Sequence, residues 1–262
     1  MLSGGSYTMK KIAVVTGASS GMGRDFVRAV DREFTPQEIW VIARREDRLL
    51  ALQEQVHATI VPFAMDLSRD EAFRRYQEAL EREQPEIVAL VNAAGYGKFT
   101  PFAEMDMASQ LGIVELNDRA LTAMCHMSLP YMHPGSKIIN LGSNSAWQPV
   151  PYMSVYGASK AYVLSFSRAL GRELKGRDIQ VLCVCPGWVK TEFMDRAVHD
   201  NTVSFFDRWY ESEDVVEKAM RDLRKGKTVS ILGFPVRMQV RLVKLLPVRM
   251  IMNIWCKQQK KP

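Results

Sequence analysis

Tyr156 and Lys160 lie four apart in Tyr156-Gly157-Ala158-Ser159-Lys160, and Ser143 stands thirteen residues before the tyrosine. On a helix, positions i and i+4 share a face. A phenol with a reference pKa of about 10 gains a tunable acidity beside an ammonium, because the cation favours the phenolate. The hydroxyl of Ser143 can bind the same substrate oxygen. Together these groups can move a proton on or off an alcohol or carbonyl oxygen, and what they lack is a source of hydride.

A second cluster addresses that need. Gly17, Gly21 and Gly23 punctuate Thr16-Gly17-Ala18-Ser19-Ser20-Gly21-Met22-Gly23, between the apolar run Lys11–Thr16 and a segment of helical periodicity from Gly21 to Val30. Glycines let a backbone approach a pyrophosphate closely, and a helix N-terminus favours its charge. The position at a strand-to-helix turn makes the triplet informative. At the end of the next strand, where a carboxylate would bind the adenosine ribose, the chain has Ala43-Arg44-Arg45. Two guanidiniums suit a 2′-phosphate, so the expected cofactor is NADP(H), with Ser19 and Arg24 as further contacts. Asp66, followed by Leu67, can accept a hydrogen bond from the adenine amino group. The small residues of Asn92-Ala93-Ala94-Gly95 would let adenosine pack on backbone.

The elements that must hold these groups alternate along the chain. Apolar runs at 11–16, 38–43, 60–65, 87–91, 136–141, 179–185 and 229–232 read as strands, with helical patterns at 21–30, 45–56, 70–83 and 155–174. Continuous apolar runs, rather than alternating ones, belong to strands covered on both faces. Repeated β-α-β order predicts an α/β fold: a single doubly wound Rossmann-type domain with a central parallel sheet, spanning residues 9–234. In such a sheet the ligand lies beyond the carboxyl ends of the strands. Thr16, Asn92, Ser143 and Pro186 all fall at strand ends.

Bulk composition, 47% hydrophobic and 24% charged, is that of an ordinary soluble globular protein. Residues 1–8 carry no strand or helix pattern and read as a disordered leader. Cys183 and Cys185 share a face of one strand run and read as core; the four cysteines of the chain fit a reducing cytoplasm. The net charge of +6 is uneven: from Arg224 onward there are ten Lys or Arg and no acid, leaving 25 basic against 29 acidic residues elsewhere, a net of −4. The basic character belongs to the tail, which argues against a nucleic-acid-binding core.

With Asn117 and Pro186-Gly187…Thr191 added, the order and spacing of these motifs resemble those of the short-chain dehydrogenase/reductases over residues 11–193. The resemblance implies that Tyr156 is the general acid for carbonyl reduction, or the base for alcohol oxidation. Lys160 would hold the nicotinamide ribose and lower the tyrosine pKa, and Ser143 would polarise the substrate oxygen. Ser145 is a rival, but the spacing favours Ser143. Asn117 would position a water that relays protons to Lys160. Pro186, Gly187, Val189 and Thr191 would contact the nicotinamide. The family uses no catalytic metal and commonly forms homodimers or homotetramers through helices like those around 105–127 and 155–174.

Substrate selection falls to the most variable part. Residues 192–212 read as an apolar lid, with Phe193, Met194, Val198, Phe205, Phe206 and Trp209. With Ser145, Trp147 and Met153 it would wall a pocket for a lipophilic substrate such as a steroid, bile acid, acyl chain or aromatic ketone. Residues 235–262 read as a helical extension broken at Pro247, with Arg237, Arg241 and Lys244 as a basic stripe among apolar residues. This pattern suits peripheral contact with an anionic membrane, or docking on the body or on another subunit. The leading expectation is an NADPH-dependent oxidoreductase. A non-catalytic NADP(H)-binding sensor or scaffold, and a peripheral membrane protein with secondary reductase activity, stay open.

Overall fold

The computed structural model describes residues 9–197, 202–203, 205–206 and 208–261. The expected leader 1–8 and Val198 of the expected lid lie outside them. Within them, the apolar runs form β1 (Lys11–Thr16), β2 (Glu38–Ala43), β3 (Thr59–Ala64), β4 (Glu86–Asn92), β5 (Lys137–Leu141), β6 (Gln180–Val184) and β9 (Val229–Ser230). They pair in parallel in the order β3-β2-β1-β4-β5-β6-β9. The order reverses between β1 and β4, and a ligand crevice opens at that switch point. Two short strands, β7 (Trp188–Lys190) and β8 (Trp209–Glu211), pair separately, a ribbon the sequence did not reveal.

Helices cover both faces. Buried Phe26, Val27 and Val30 on α1 (Gly21–Phe34) and Val215, Val216 and Met220 on α8 (Ser212–Arg224) pack with one face of the sheet. Tyr76 and Leu80 on α3 (Asp70–Glu83), Met124 on α5 (Leu121–Ser128) and Val163 on α6 (Ser154–Glu173) pack with the other. Each such side chain contributes roughly 1.5–3 kcal/mol through burial. Short helices α2 (Glu46–Leu50), α4 (Met107–Val114) and α7 (Phe193–Ala197) complete the layers. A π-helical turn, Glu115–Ala120, joins α4 to α5. Such insertions often mark functional positions, and this one carries Asn117.

The tail folds back onto the body as α9 (Phe234–Val243) and α10 (Val248–Gln258), separated at Pro247. Val236, Val240 and Ile251 are buried beneath them. No helix among the described residues is long and apolar enough to cross a membrane.

Candidate active site

The turn after β1 is built for close approach. Gly17 has φ +67°, and a Cβ on it would lie 2.7 Å from the Ala94 nitrogen; a Cβ on Gly23 would lie 2.2 Å from the Gly17 carbonyl oxygen. Thr16 at the end of β1 accepts from the Ala93 and Ala94 amides at 3.0 and 3.1 Å, fastening that turn to the end of β4. No side chain caps the N-terminus of α1, and its first turn carries no acid. Gly21, Met22 and Gly23 therefore present backbone N–H groups to the cavity they line. This is an arrangement that attracts a phosphate.

Beside it, Arg45 donates to Glu192 at 2.9 Å and to the Ser19 hydroxyl at 3.2 Å. Arg44 is exposed and has no carboxylate partner among the described residues, although its charge lies near Asp66. Burial works against the Asp66 carboxylate, yet hydrogen bonds from the Ser68 backbone and hydroxyl, helped by Arg44, hold it below its usual range. The cradle and the uncapped helix end fit the pyrophosphate of a dinucleotide.

The second half of the site rests on α6 and the end of β5. Lys160 Nζ donates to the Leu141 carbonyl at 2.8 Å and lies 5.7 Å from the centre of the Tyr156 ring. Burial lowers the Lys160 ammonium to about 8, the charges around Cys183 and Asp118 opposing it. Burial pushes the Tyr156 phenol up to about 12, with the Ser143 hydroxyl pulling the other way. In the chain alone, desolvation therefore outweighs the lysine's expected lowering of the tyrosine pKa. Ser143 Oγ accepts from the Ser145 amide at 3.1 Å and from the Ser145 hydroxyl at 2.9 Å. The two serines, weighed as rivals, act as a pair, with Ser145 holding Ser143 in place.

Asn117 lies beneath the cavity wall. Its Oδ1 accepts from the Tyr96 amide, and its Nδ2 donates to the Tyr96 carbonyl and the Ser159 hydroxyl, all at 3.0 Å. Ser159 in turn donates to the Tyr156 carbonyl at 2.8 Å. Asn117 thus locks the loop after β4 to the helix that carries Tyr156 and Lys160.

One cavity of about 550 Å³ joins both halves. Gly17, Ser19, Ser20, Gly21–Gly23, Arg44, Arg45, Asp66, Leu67, Ala93–Gly95, Pro186, Gly187, Val189 and Thr191 line it, as do Ser143, Ser145, Met153, Tyr156, Lys160, Phe193 and Met194. Two expectations need correction. Asn92 is buried under the crevice, where its amide donates to Asn140 at 2.9 Å; Asn140 continues to Ser167 on α6 at 2.9 Å. It ties sheet to helix and does not reach the cavity. Trp147 faces away from the substrate side, held between Arg168 and Lys244, whose charges lie 4.5 and 4.1 Å from its ring. The reason is the short 3₁₀ turn Asn144–Trp147 that Ser143 caps, which swings the indole toward α9.

Several residues at or beside the site escaped sequence reading. Phe99 is fully buried and meets Tyr156 edge-on at 6.1 Å. A Cβ on Gly97 would come within 2.7 Å of the Tyr156 ring. The largest omission is the tail: Gln239, Leu242, Val243 and Leu246 around α9, and Ile251, Ile254 and Trp255 of α10, form a wall of the cavity. A second apolar stripe on α9, opposite the basic one, was the available signal.

A sequence profile of the short chain dehydrogenase family matches residues 11–202. The chain is 32% identical over 193 residues to sulfoacetaldehyde reductase 2 of Chromohalobacter salexigens, covering 71% of this chain and 75% of that protein. Among solved structures, it superposes on a short-chain dehydrogenase from Sphingobium yanoikuyae in complex with NADPH with a TM-score of 0.77 and 26% identity, covering 93% of this chain and 95% of that one. A bulky-bulky ketone specific alcohol dehydrogenase from Comamonas testosteroni gives a TM-score of 0.73 at 25% identity, covering 91% and 92%.

Proposed function

The chain belongs to the short chain dehydrogenase family, and from that premise we propose that it is an NADPH-dependent reductase of bulky, lipophilic ketones. An oxidoreductase acting on alcohol or carbonyl groups follows from membership; cofactor and substrate are the inference. The observation that carries it is the cavity itself. Its floor holds Ser143, Tyr156 and Lys160, one end has the free guanidinium of Arg44, and the opposite end is walled by Phe99, Phe193, Leu242, Leu246 and Trp255.

When bound, NADPH supplies the hydride. The chain does the rest. Ser143 and Tyr156 donate hydrogen bonds to the ketone oxygen as it gains negative charge, and Tyr156 delivers the proton. A phenol held near 12 is fully protonated at neutral pH, ready to act as acid. Lys160, fixed through Leu141, supplies positive charge that favours the phenolate left behind. Asn117 positions Lys160 and Tyr156 through Ser159. The solved relatives support both finer points: one carries NADPH, and another is described as specific for bulky-bulky ketones.

The assembly we infer is a homo-oligomer. Met107, Leu111 and Val114 on α4 and Tyr162 on α6 expose large apolar surface on one side of the molecule. The unpaired cysteines fit a reducing cytoplasm.

NADPH oxidation with a panel of bulky ketones, wild type against Tyr156→Phe, tests the reading. Loss of roughly 10²–10⁴ in kcat with NADPH still binding supports it; equal rates sink it.

A further inference from the structure

A second cavity, of about 470 Å³, lies on the far side of α9 from the active site. It is lined by Lys218 and Arg221 of α8, its cap Lys225, Lys227 from the following turn, and Arg237, Arg241 and Lys244 of α9 or its cap. One acid, Asp222, faces these seven cations. It is already committed to Lys218, to Lys227 at 2.8 Å and to the Ser230 hydroxyl at 2.8 Å. Among the described residues, Arg221, Lys225, Arg237, Arg241 and Lys244 have no carboxylate partner. Like charges gathered from two helices repel unless an anion lies among them. Trp147 forms part of the wall, and its buried Nε1 finds no acceptor among the described residues.

The helix shared by the two cavities has three distinct sides. At about 100° per residue, Arg237, Val240, Arg241 and Lys244 fall together and line the basic cavity. Gln239, Val243 and Leu246 fall opposite and line the active site. Between them runs a strip that touches neither interior: Phe234 and Met238 on α9, and Leu245 in the turn that follows it, are 66%, 42% and 81% exposed. Leu242 belongs to both the strip and the active-site wall, being 56% exposed and yet lining the cavity. Leu242 therefore joins the apolar strip to the active-site wall, and the basic face lies on the strip's other flank. A helix with an apolar strip beside a dense basic face fits an anionic membrane surface.

We propose that the basic cavity between α8 and α9 holds the phosphate of an anionic phospholipid headgroup, while the strip Phe234, Met238 and Leu245 enters the neighbouring acyl chains. Docked this way, the protein turns Leu242, and with it this wall of the active site, toward the lipid. Delivery of a ketone from the bilayer rests on the reductase reading above; the docking does not.

Flotation of the full chain with phosphatidylcholine vesicles, alone or mixed with phosphatidylglycerol, tests it. The protein should float with the mixed vesicles only, and less as salt rises. Arg221→Glu with Lys225→Glu, both exposed on α8 or its cap, should weaken partitioning roughly tenfold or more, and Leu245→Asp should weaken it as well. NADPH oxidation on a water-soluble ketone should be the same in all three proteins, which separates this test from that of the reductase reading. Equal flotation with neutral vesicles, or undiminished flotation of the α8 double variant, overturns the headgroup site. Undiminished flotation of Leu245→Asp overturns the insertion. A calorimetric titration with inorganic phosphate distinguishes a free ligand: saturable binding lost in the double variant, without flotation of the wild type, also overturns the proposal.

Discussion

The indole Nε1 of Trp255 donates to the carbonyl oxygen of Pro151 at 2.9 Å, across 104 positions of chain. Pro151 lies five residues before Tyr156, so this bond ties α10 to the loop that leads into the helix carrying Tyr156. Trp255 is also part of the cavity wall. Trp255→Ala removes a ring and a hydrogen bond worth about 1 kcal/mol. The expected result is a KM for bulky ketones raised roughly tenfold, with a smaller effect on a small ketone. Trp255→Phe, which keeps the ring surface, should fall between. Steady-state kinetics on a matched pair of ketones decides; identical rises for both substrates would mean that the tail is only a structural clamp.

Gly97 packs against the Tyr156 ring with no room for a side chain. A methyl there would lie 2.7 Å from the Tyr156 Cδ2 and 3.2 Å from the Phe193 Cζ. The phenol must therefore shift in Gly97→Ala, and misplacement by about 1 Å can cost on the order of a hundredfold in rate. We expect kcat to fall roughly ten- to a hundredfold, with NADPH affinity and the melting temperature little changed. A wild-type kcat in a folded variant would refute the contact.

The two arginines after β2 are not equivalent. Arg45 is engaged by Glu192 and Ser19, whereas Arg44 is free to meet a phosphate. Arg44→Asp is expected to weaken NADPH binding tenfold or more and to leave NADH nearly unaffected. Arg45→Ala should have the smaller effect on the ratio. Fluorescence titration with each cofactor measures it, and an unchanged ratio in Arg44→Asp removes the basis for NADPH preference.

The pH dependence has a defined source. Burial lowers Lys160 to about 8 and raises Tyr156 to about 12. Between pH 8 and 10 it is thus the lysine that loses its charge, and the alkaline limb of kcat/KM for reduction should begin near 8. Stability moves the other way over that window. The folded chain holds the Lys160 proton less tightly than the unfolded chain, so resistance to urea should rise from about pH 8 toward the ordinary lysine value of 10.5. Lys160→Met should lack that rise. A flat difference between the two proteins across this range would count against the buried ammonium.

How much of this was legible depended on the distance over which a signal acts. The glycine turn and the Tyr156–Lys160 pair are short-range: one turn of chain or one turn of helix places them, and the parallel sheet follows from continuous apolar runs. Helix α3 lies on the expected residues 70–83. Asn92 was misassigned because a polar residue at a strand end reads the same whether it faces a ligand or an internal network; only its register opposite Asn140 separates the two. Trp147 was misplaced by a four-residue 3₁₀ turn whose direction sequence does not encode. Gly97, Phe99 and the tail wall depend on contacts between distant segments, which a local pattern cannot report.

Helix α9 has no idle side, and this limits its tolerance to changes in length more than to changes in side chain. One residue inserted between Ser230 and Arg237 would turn the helix by about 100°. The basic face would then point at the apolar strip, and the strip would point into the active site. The connection Ile231–Gly233 is therefore a spacer of fixed count. Gly233 is its stop: at φ +86°, with the Tyr210 hydroxyl 2.0 Å from where a Cβ would lie, it admits neither a side chain nor a sliding of register. Loops of the same length elsewhere on the surface can gain or lose a residue at small cost, but this one sets the phase of every function the helix carries.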